Sequence, residues 1–214
     1  MKTKTRKKQQ GRAKKQVAVW LSLVAFFIIL FTIVFTEISG MSPKSALEKV
    51  ANQVVEPEVP ENYIPLYQEA ADAYGIPWTL LAAHHRVETK FSDMDLLLSP
   101  VGAEGHLQFM PCTFVGWKHP TCTGLRKGEI DEREKTDPAV IQKYGGYGVD
   151  GDGDGVADPY NLTDALYSTA NYLSQNGAAD GELERAIFDY NHSEEYVKDV
   201  LFYYNKYEEQ FLSD

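Results

Sequence analysis

A mostly α-helical domain preceded by one N-terminal transmembrane helix is the fold class this sequence predicts. Three observations lead there. An apolar run sits near the N-terminus, apolar residues from Asn62 onward recur at helical spacing, and no stretch alternates convincingly as a strand would. A chain of 214 residues accommodates one ordinary domain plus appendages. With 43% hydrophobic and 12% aromatic residues it can build a core, which excludes wholesale disorder.

The N-terminal segment is justified by charge. Eight of the 21 basic residues (Lys2, Lys4, Arg6, Lys7, Lys8, Arg12, Lys14 and Lys15) precede Gln16, and no acidic residue occurs before Glu37. From Val17 to Phe35 the chain is apolar except for Ser22 and Thr32, long enough to cross a hydrocarbon core, which takes about 20 residues as a helix. Basic residues on one side place the N-terminus in the cytoplasm and everything after the run outside. The run is longer than a signal-peptide core, and Thr36 to Gly40 matches a small-residue cleavage site poorly. The expected organisation is a cytoplasmic segment 1–16, a signal anchor 17–38, an extracellular stem 39–61 with Pro43, Pro57 and Pro60, and a domain 62–214. Beyond the basic head the chain carries 13 basic against 31 acidic residues, about −18 net, which would repel nucleic acid.

The helices of the domain follow in order. Ile64, Tyr67, Ala70, Ala71 and Tyr74 share a face, and Gly75 ends that helix. Pro77 suits the first turn of the next, which runs apolar through Val87 apart from Thr79, His84, His85 and Arg86. A short helix is expected from Pro111 to Trp117, then a polar loop from Lys118 to Lys135. Leu162 to Asn176 places Ala165, Leu166, Thr169, Ala170 and Leu173 on one face and stops at Gly177. Glu182 to Tyr190 and Ser193 to Phe211 complete the set, Ser193 serving as N-cap.

Glu88 stands at the end of the helix that begins near Pro77, on a face with Leu81, His84 and His85. The negative end of the helix dipole and burial both disfavour its ionised form. That suits a group that donates a proton near neutral pH. The competing reading is a surface Glu paired with Arg86 or Lys90. Most glycosidases use two carboxylates, and Asp93, Asp95 and Glu104 are the candidates for a second. A 2-acetamido sugar offers a different solution, since its own carbonyl stabilises the developing cation.

Four segments then point to one family. Gly105-His106-Leu107-Gln108-Phe109-Met110-Pro111 is similar to the G-x-x-Q-F-M-P motif of the goose-lysozyme-like lytic transglycosylases. Val87-Glu88-Thr89 with Phe91 resembles their E-S-x-F segment, and Tyr190-Asn191 their A-Y-N motif. Ala165 to Leu173 resembles a helix of the membrane-bound lytic transglycosylase B branch. They occur in the family's order. The resemblance implies a lysozyme-like, goose-type domain in which Glu88 cleaves the bond between N-acetylmuramic acid and N-acetylglucosamine. The product would be a 1,6-anhydro end, with Gln108, Tyr190 and Asn191 lining the cleft. It implies peptidoglycan glycan strands as partner, beside the membrane and, by conjecture, a machinery of the cell envelope. Three departures stand out: Cys112-Thr113 where Ser-Ser or Ser-Thr is usual, Thr89 for Ser, and His192-Ser193 for small residues. A hydrolytic muramidase, or a catalytically silent Ca²⁺-stabilised wall-binding module, is the remaining alternative.

Two further features stand apart from Glu88. Within residues 150–161, Asp150, Asp152, Asp154, Val156 (through its carbonyl), Asp158 and Asn161 fall at the ligand positions of a calcium-binding loop, with Asn161 in place of the usual Glu. The expected cofactor is a structural Ca²⁺, and no organic cofactor is implied. Cys112 and Cys122 are either a disulfide, permitted outside the membrane, or two buried thiols.

Overall fold

The computed structural model describes residues 59–123 and 128–212. The expected cytoplasmic segment, the expected signal anchor 17–38 and nearly all of the expected stem lie outside the described residues. No helix among the described residues is long and apolar enough to cross a membrane. The described part is mostly helical, with extended pairing confined there to single bridges between Leu98 and Glu104 and between Glu104 and Phe109. The core begins slightly before Asn62, since Val59 is buried in it and a 3-10 turn spans Glu61–Tyr63.

α1 (Ile64–Tyr74) ends where its sequence says it must: Gly75 takes a left-handed φ of 66°, and its N–H donates to the Ala71 carbonyl. α2 (Trp78–Thr89) starts after Pro77, and every residue from Thr79 to His85 is buried. A helix covered on all sides has to be surrounded by others. α1 lies against it, and so does the last helix, α8 (Glu194–Leu212). α6 (Leu162–Gln175) packs on α1, and α7 (Leu183–Asn191) packs on both α6 and α8. Leu80, Leu81, Leu166, Leu173 and Ile187 are wholly buried. Each such side chain contributes about 1.5–3 kcal/mol of hydrophobic stabilisation.

Three short helices, α3 (Pro111–Val115), α4 (Glu132–Lys135) and α5 (Pro138–Tyr144), lie between α2 and α6. α4 interrupts a stretch expected to be loop throughout. It is four residues long, too short for periodicity to reveal it, but its start is chemically marked: Asp131 accepts from the Arg133 N–H at 3.0 Å. α5 is built the same way, with Asp137 accepting from Ala139 N at 2.8 Å and Pro138 in the first turn. Cys112 and Cys122 are bridged, their Cα atoms 5.6 Å apart, which ties α3 to the loop that follows.

Candidate active site

Glu88 occupies the last turn of α2, facing Tyr196 of α8. Burial pushes its carboxyl up from 4.5 to about 7, against the pull of one hydrogen bond. That bond comes from Tyr196 on α8, whose hydroxyl donates to Glu88 Oε1 at 2.6 Å. The neighbours once considered as surface partners are elsewhere. Arg86 lies over the Tyr203 ring at 5.0 Å, and Lys90 is exposed. Nor does a carboxylate contribute to the shift. Asp93 and Asp95 are exposed, and both oxygens of Glu104 are engaged by Lys135 Nζ at 3.0 Å. Glu88 is thus placed to hold a proton near neutral pH without help from a second acid.

The turn leaving α2 is unusual. Lys90, Phe91 and Ser92 all have left-handed φ values, 52°, 63° and 69°, in a region non-glycine residues rarely enter. Side chains hold it. Ser92 N donates to Thr89 Oγ1 at 3.1 Å, and Thr89 Oγ1 donates to the His106 carbonyl at 2.8 Å. Thr89 therefore uses the one group it shares with Ser.

A row of hydrogen bonds crosses the same place, and one fixed end sets the direction of all of them. His106 Nε2 lies 2.9 Å from the Tyr160 carbonyl, which can only accept, so Nε2 carries the proton. His106 Nδ1 must then accept from Ser92 Oγ at 2.6 Å. Ser92 Oγ accepts from His85 Nε2 at 2.7 Å, and His85 Nδ1 accepts from the Tyr67 hydroxyl at 2.7 Å. The row joins α1, α2, the turn after Glu88, the Gly105–Pro111 segment and the end of the Asp-rich loop. Gly105 is obligatory beside it, since a Cβ there would stand 1.9 Å from the Pro159 carbonyl oxygen.

The residues expected to line a sugar site fall into two groups. Tyr190 and Gln108 belong to the same construction. The Tyr190 hydroxyl donates to the Leu107 carbonyl at 2.8 Å, and its ring meets Phe109 at 5.5 Å and His84 at 5.0 Å. The Glu88 carboxylate is among the groups that raise the Tyr190 hydroxyl well above its ordinary value, after burial. Gln108 sits at the left-handed corner of its turn, φ 52°, with its amide nitrogen donating to the Gly105 carbonyl at 2.8 Å. Asn191 ends α7 and is exposed. Tyr196, which touches the acid directly, did not figure among the sequence candidates. It sits 108 residues from Glu88, and no local pattern announces the contact.

In the Asp-rich loop the structure gathers Asp150, Asp152 and Asp164, with one oxygen from each lying within 4.8 Å of the others. Asp150 also accepts from the N–H groups of Gly153, Asp154 and Gly155. Asp154 and Asp158 stand outside that trio, accepting from Val156 N and Tyr160 N at 2.8 Å. Asn161 turns its oxygen to the N–H of Thr163 at 2.9 Å as the N-cap of α6, and its amide nitrogen donates to Asp152. Asp164 joins Asp150 and Asp152 from inside α6, its Oδ1 accepting from the N–H groups of Gly151 and Asp152 and its Oδ2 from that of Asp158. It is wholly buried, and burial raises its carboxyl. Three hard oxygens converging in this way suit Ca²⁺.

Residues 141–184 match the family described as Transglycosylase SLT domain. The matched stretch contains most of α5, the Asp-rich loop, α6 and the start of α7. It supports the likeness to lytic transglycosylases carried by the motifs around Glu88, Gln108 and Tyr190. No curated protein and no solved structure matches the chain significantly.

Proposed function

We propose, from the transglycosylase SLT stretch and the protonated Glu88 ahead of it, that this protein is a peptidoglycan lytic transglycosylase. It would cleave the β-1,4 bond between N-acetylmuramic acid and N-acetylglucosamine. The observation that carries the reading is Glu88 itself: a carboxyl held at about 7 by burial, with no second carboxylate acting on it. Glu88 gives its proton to the glycosidic oxygen, and the N-acetylglucosamine side leaves with that proton as its 4-hydroxyl. The cation developing at the muramyl C1 is stabilised by the acetamido carbonyl of the same sugar. Glu88, now a carboxylate, takes the proton from the muramyl C6 hydroxyl while O6 bonds to C1. The acid is regenerated and no water is consumed. A pair of carboxylates is what the hydrolytic routes ordinarily require.

Tyr190 and Gln108 would line the cleft beside Glu88, and Asn191, which is exposed, would meet the glycan strand. Asp150, Asp152 and Asp164 would hold Ca²⁺. When bound it would neutralise carboxylates that otherwise repel one another, and so stiffen the loop before α6. Its role is structural. Residues 17–38 would anchor the enzyme with the catalytic domain outside, limiting its reach to nearby wall and to envelope machinery assembled there.

The test is digestion of purified peptidoglycan by the full-length protein, with and without Ca²⁺ and beside Glu88→Gln, followed by mass spectrometry. Muropeptides lighter by one water than hydrolytic products, and missing with Glu88→Gln, are expected. Hydrated reducing ends would instead make the protein a muramidase. No product from folded protein would leave a wall-binding module.

A further inference from the structure

Behind Glu88 lies a histidine for which the catalytic reading has no use. His84 is one turn earlier on α2 and has no exposed surface. Its Nδ1 lies 2.9 Å from the Tyr196 hydroxyl, and its Nε2 has no hydrogen-bond partner among the described residues. A buried polar atom without a partner costs about 1–3 kcal/mol. Leu or Phe would avoid that cost at this position, so a reason for histidine is needed.

Proton counting supplies one. Tyr196 has a single hydroxyl proton and gives it to Glu88 Oε1. While Glu88 is a carboxylate Tyr196 has none left for His84, so in that state His84 is the donor at Nδ1, and a ring that keeps this tautomer keeps Tyr196 donating to Oε1 when the acid regains its proton. A neutral imidazole has one N–H, and here it must be at Nδ1. The bare Nε2 follows from this, its lone pair buried and unused. We infer that His84 is a positioning residue, which through its Nδ1–H holds the Tyr196 hydroxyl against Glu88 Oε1 and so leaves the transferable proton on Oε2. A carboxyl that accepts at one oxygen carries its proton on the other. The row His84, Tyr196, Glu88 thus selects which oxygen acts as acid. The inference rests on Glu88 being that acid.

The surroundings allow the row to persist through the working pH range. Burial lowers His84 to about 3, so it stays neutral, and raises Tyr190 and Tyr196 well above their ordinary value, so both keep their protons. These two tyrosines, from α7 and α8, and His84, from α2, are the titratable groups acting on Glu88 or on its partner. Of the neighbouring cations on α2 and just after it, Arg86 lies over Tyr203 and Lys90 is exposed.

Two measurements on the full-length protein test this. The chain has only five histidines, so ¹⁵N labelling of the rings gives a resolvable spectrum, in which His84→Asn identifies the His84 signals. Protonation of His84 at Nδ1 alone, unchanged across neutral pH, is expected. Protonation at Nε2 would overturn the inference whatever the activity. The second measurement is the pH profile of glycan cleavage for His84→Asn and His84→Leu, each checked for folding by thermal melting. The Asn amide places an N–H near the position of Nδ1–H and is expected to keep the wild-type profile. Leu fills the space without a donor. It is expected to shift the alkaline limb upward and to lower the rate about tenfold, as loss of one hydrogen bond toward a charged group implies. If Leu keeps the profile while Asn disturbs it, His84 only fills space. Absence of anhydro product from the wild type would defeat the proposed reaction and leave the ring spectrum to judge His84 separately.

Discussion

Glu88 illustrates how a single side chain links stability to activity. Its folded value of about 7 lies above the ordinary 4.5. Below 4.5 both the folded and unfolded chains hold the proton. Between 4.5 and 7 the unfolded chain releases it first, so stability falls as pH rises, by about 3 kcal/mol in all. Glu88→Gln keeps the oxygen that Tyr196 needs and removes the charge. It should therefore melt higher than the parent at pH 8, match it at pH 4, and release no product; equal melting at both values would refute the buried-acid reading. Catalysis should fail as pH rises through 7, when the acid loses its proton. Tyr196→Phe should push that alkaline limb up by about one unit, since a hydrogen bond to a carboxylate is worth about 1.5–3 kcal/mol; a rate profile in stepped buffers reads this directly. Glu88 was singled out in the sequence by its place at the end of an apolar helix together with the motif resemblance around it, the helix alone leaving a surface Glu as the competing reading. Tyr196 was not, because its contact with Glu88 joins helices at opposite ends of the domain.

Among the elements, those with caps and periodicity were read closely. Gly75 terminates α1, and Ser193 Oγ accepts from Tyr196 N at 3.3 Å at the head of α8. Of the short helices, α3 was expected after Pro111, whereas α4 and α5 were missed because so short a helix carries little periodicity, although Asp131 and Asp137 marked their starts. The Cys112–Cys122 bridge accounts for one departure from the family motif: the position after Pro111, usually Ser, is spent on a cross-link. A closed loop of this size stabilises by about 3 kcal/mol in the chain-entropy account. Cys112→Ser with Cys122→Ser should lower the denaturation midpoint accordingly in a urea titration, with an unchanged midpoint counting against it. Gly105→Ala is expected to be worse, because a backbone oxygen rather than a flexible side chain blocks the new methyl.

For the molecule as a whole, the proposed Ca²⁺ site in the Asp-rich loop would couple stability to the ion. If the site takes Ca²⁺, then at a hundred times the dissociation constant the folded state would gain about 2.7 kcal/mol. Chelation should lower the melting temperature, and Asp164→Asn should abolish that sensitivity; a chelator response that survives in Asp164→Asn would place the ion elsewhere. Loop spacing in the sequence singled out Asp150 and Asp152 but not Asp164, which joins them from inside α6, where no spacing rule points. The row from Tyr67 to Tyr160 reaches across the same distance, and its fixed end has a consequence for conduction. Passing a proton along such a row reverses every bond in it, and reversal here would require a peptide carbonyl to become a donor. The row can therefore point only one way. It is an insulator and not a wire, so the turn after Glu88 gains rigidity from three polar side chains without opening a proton leak behind the acid.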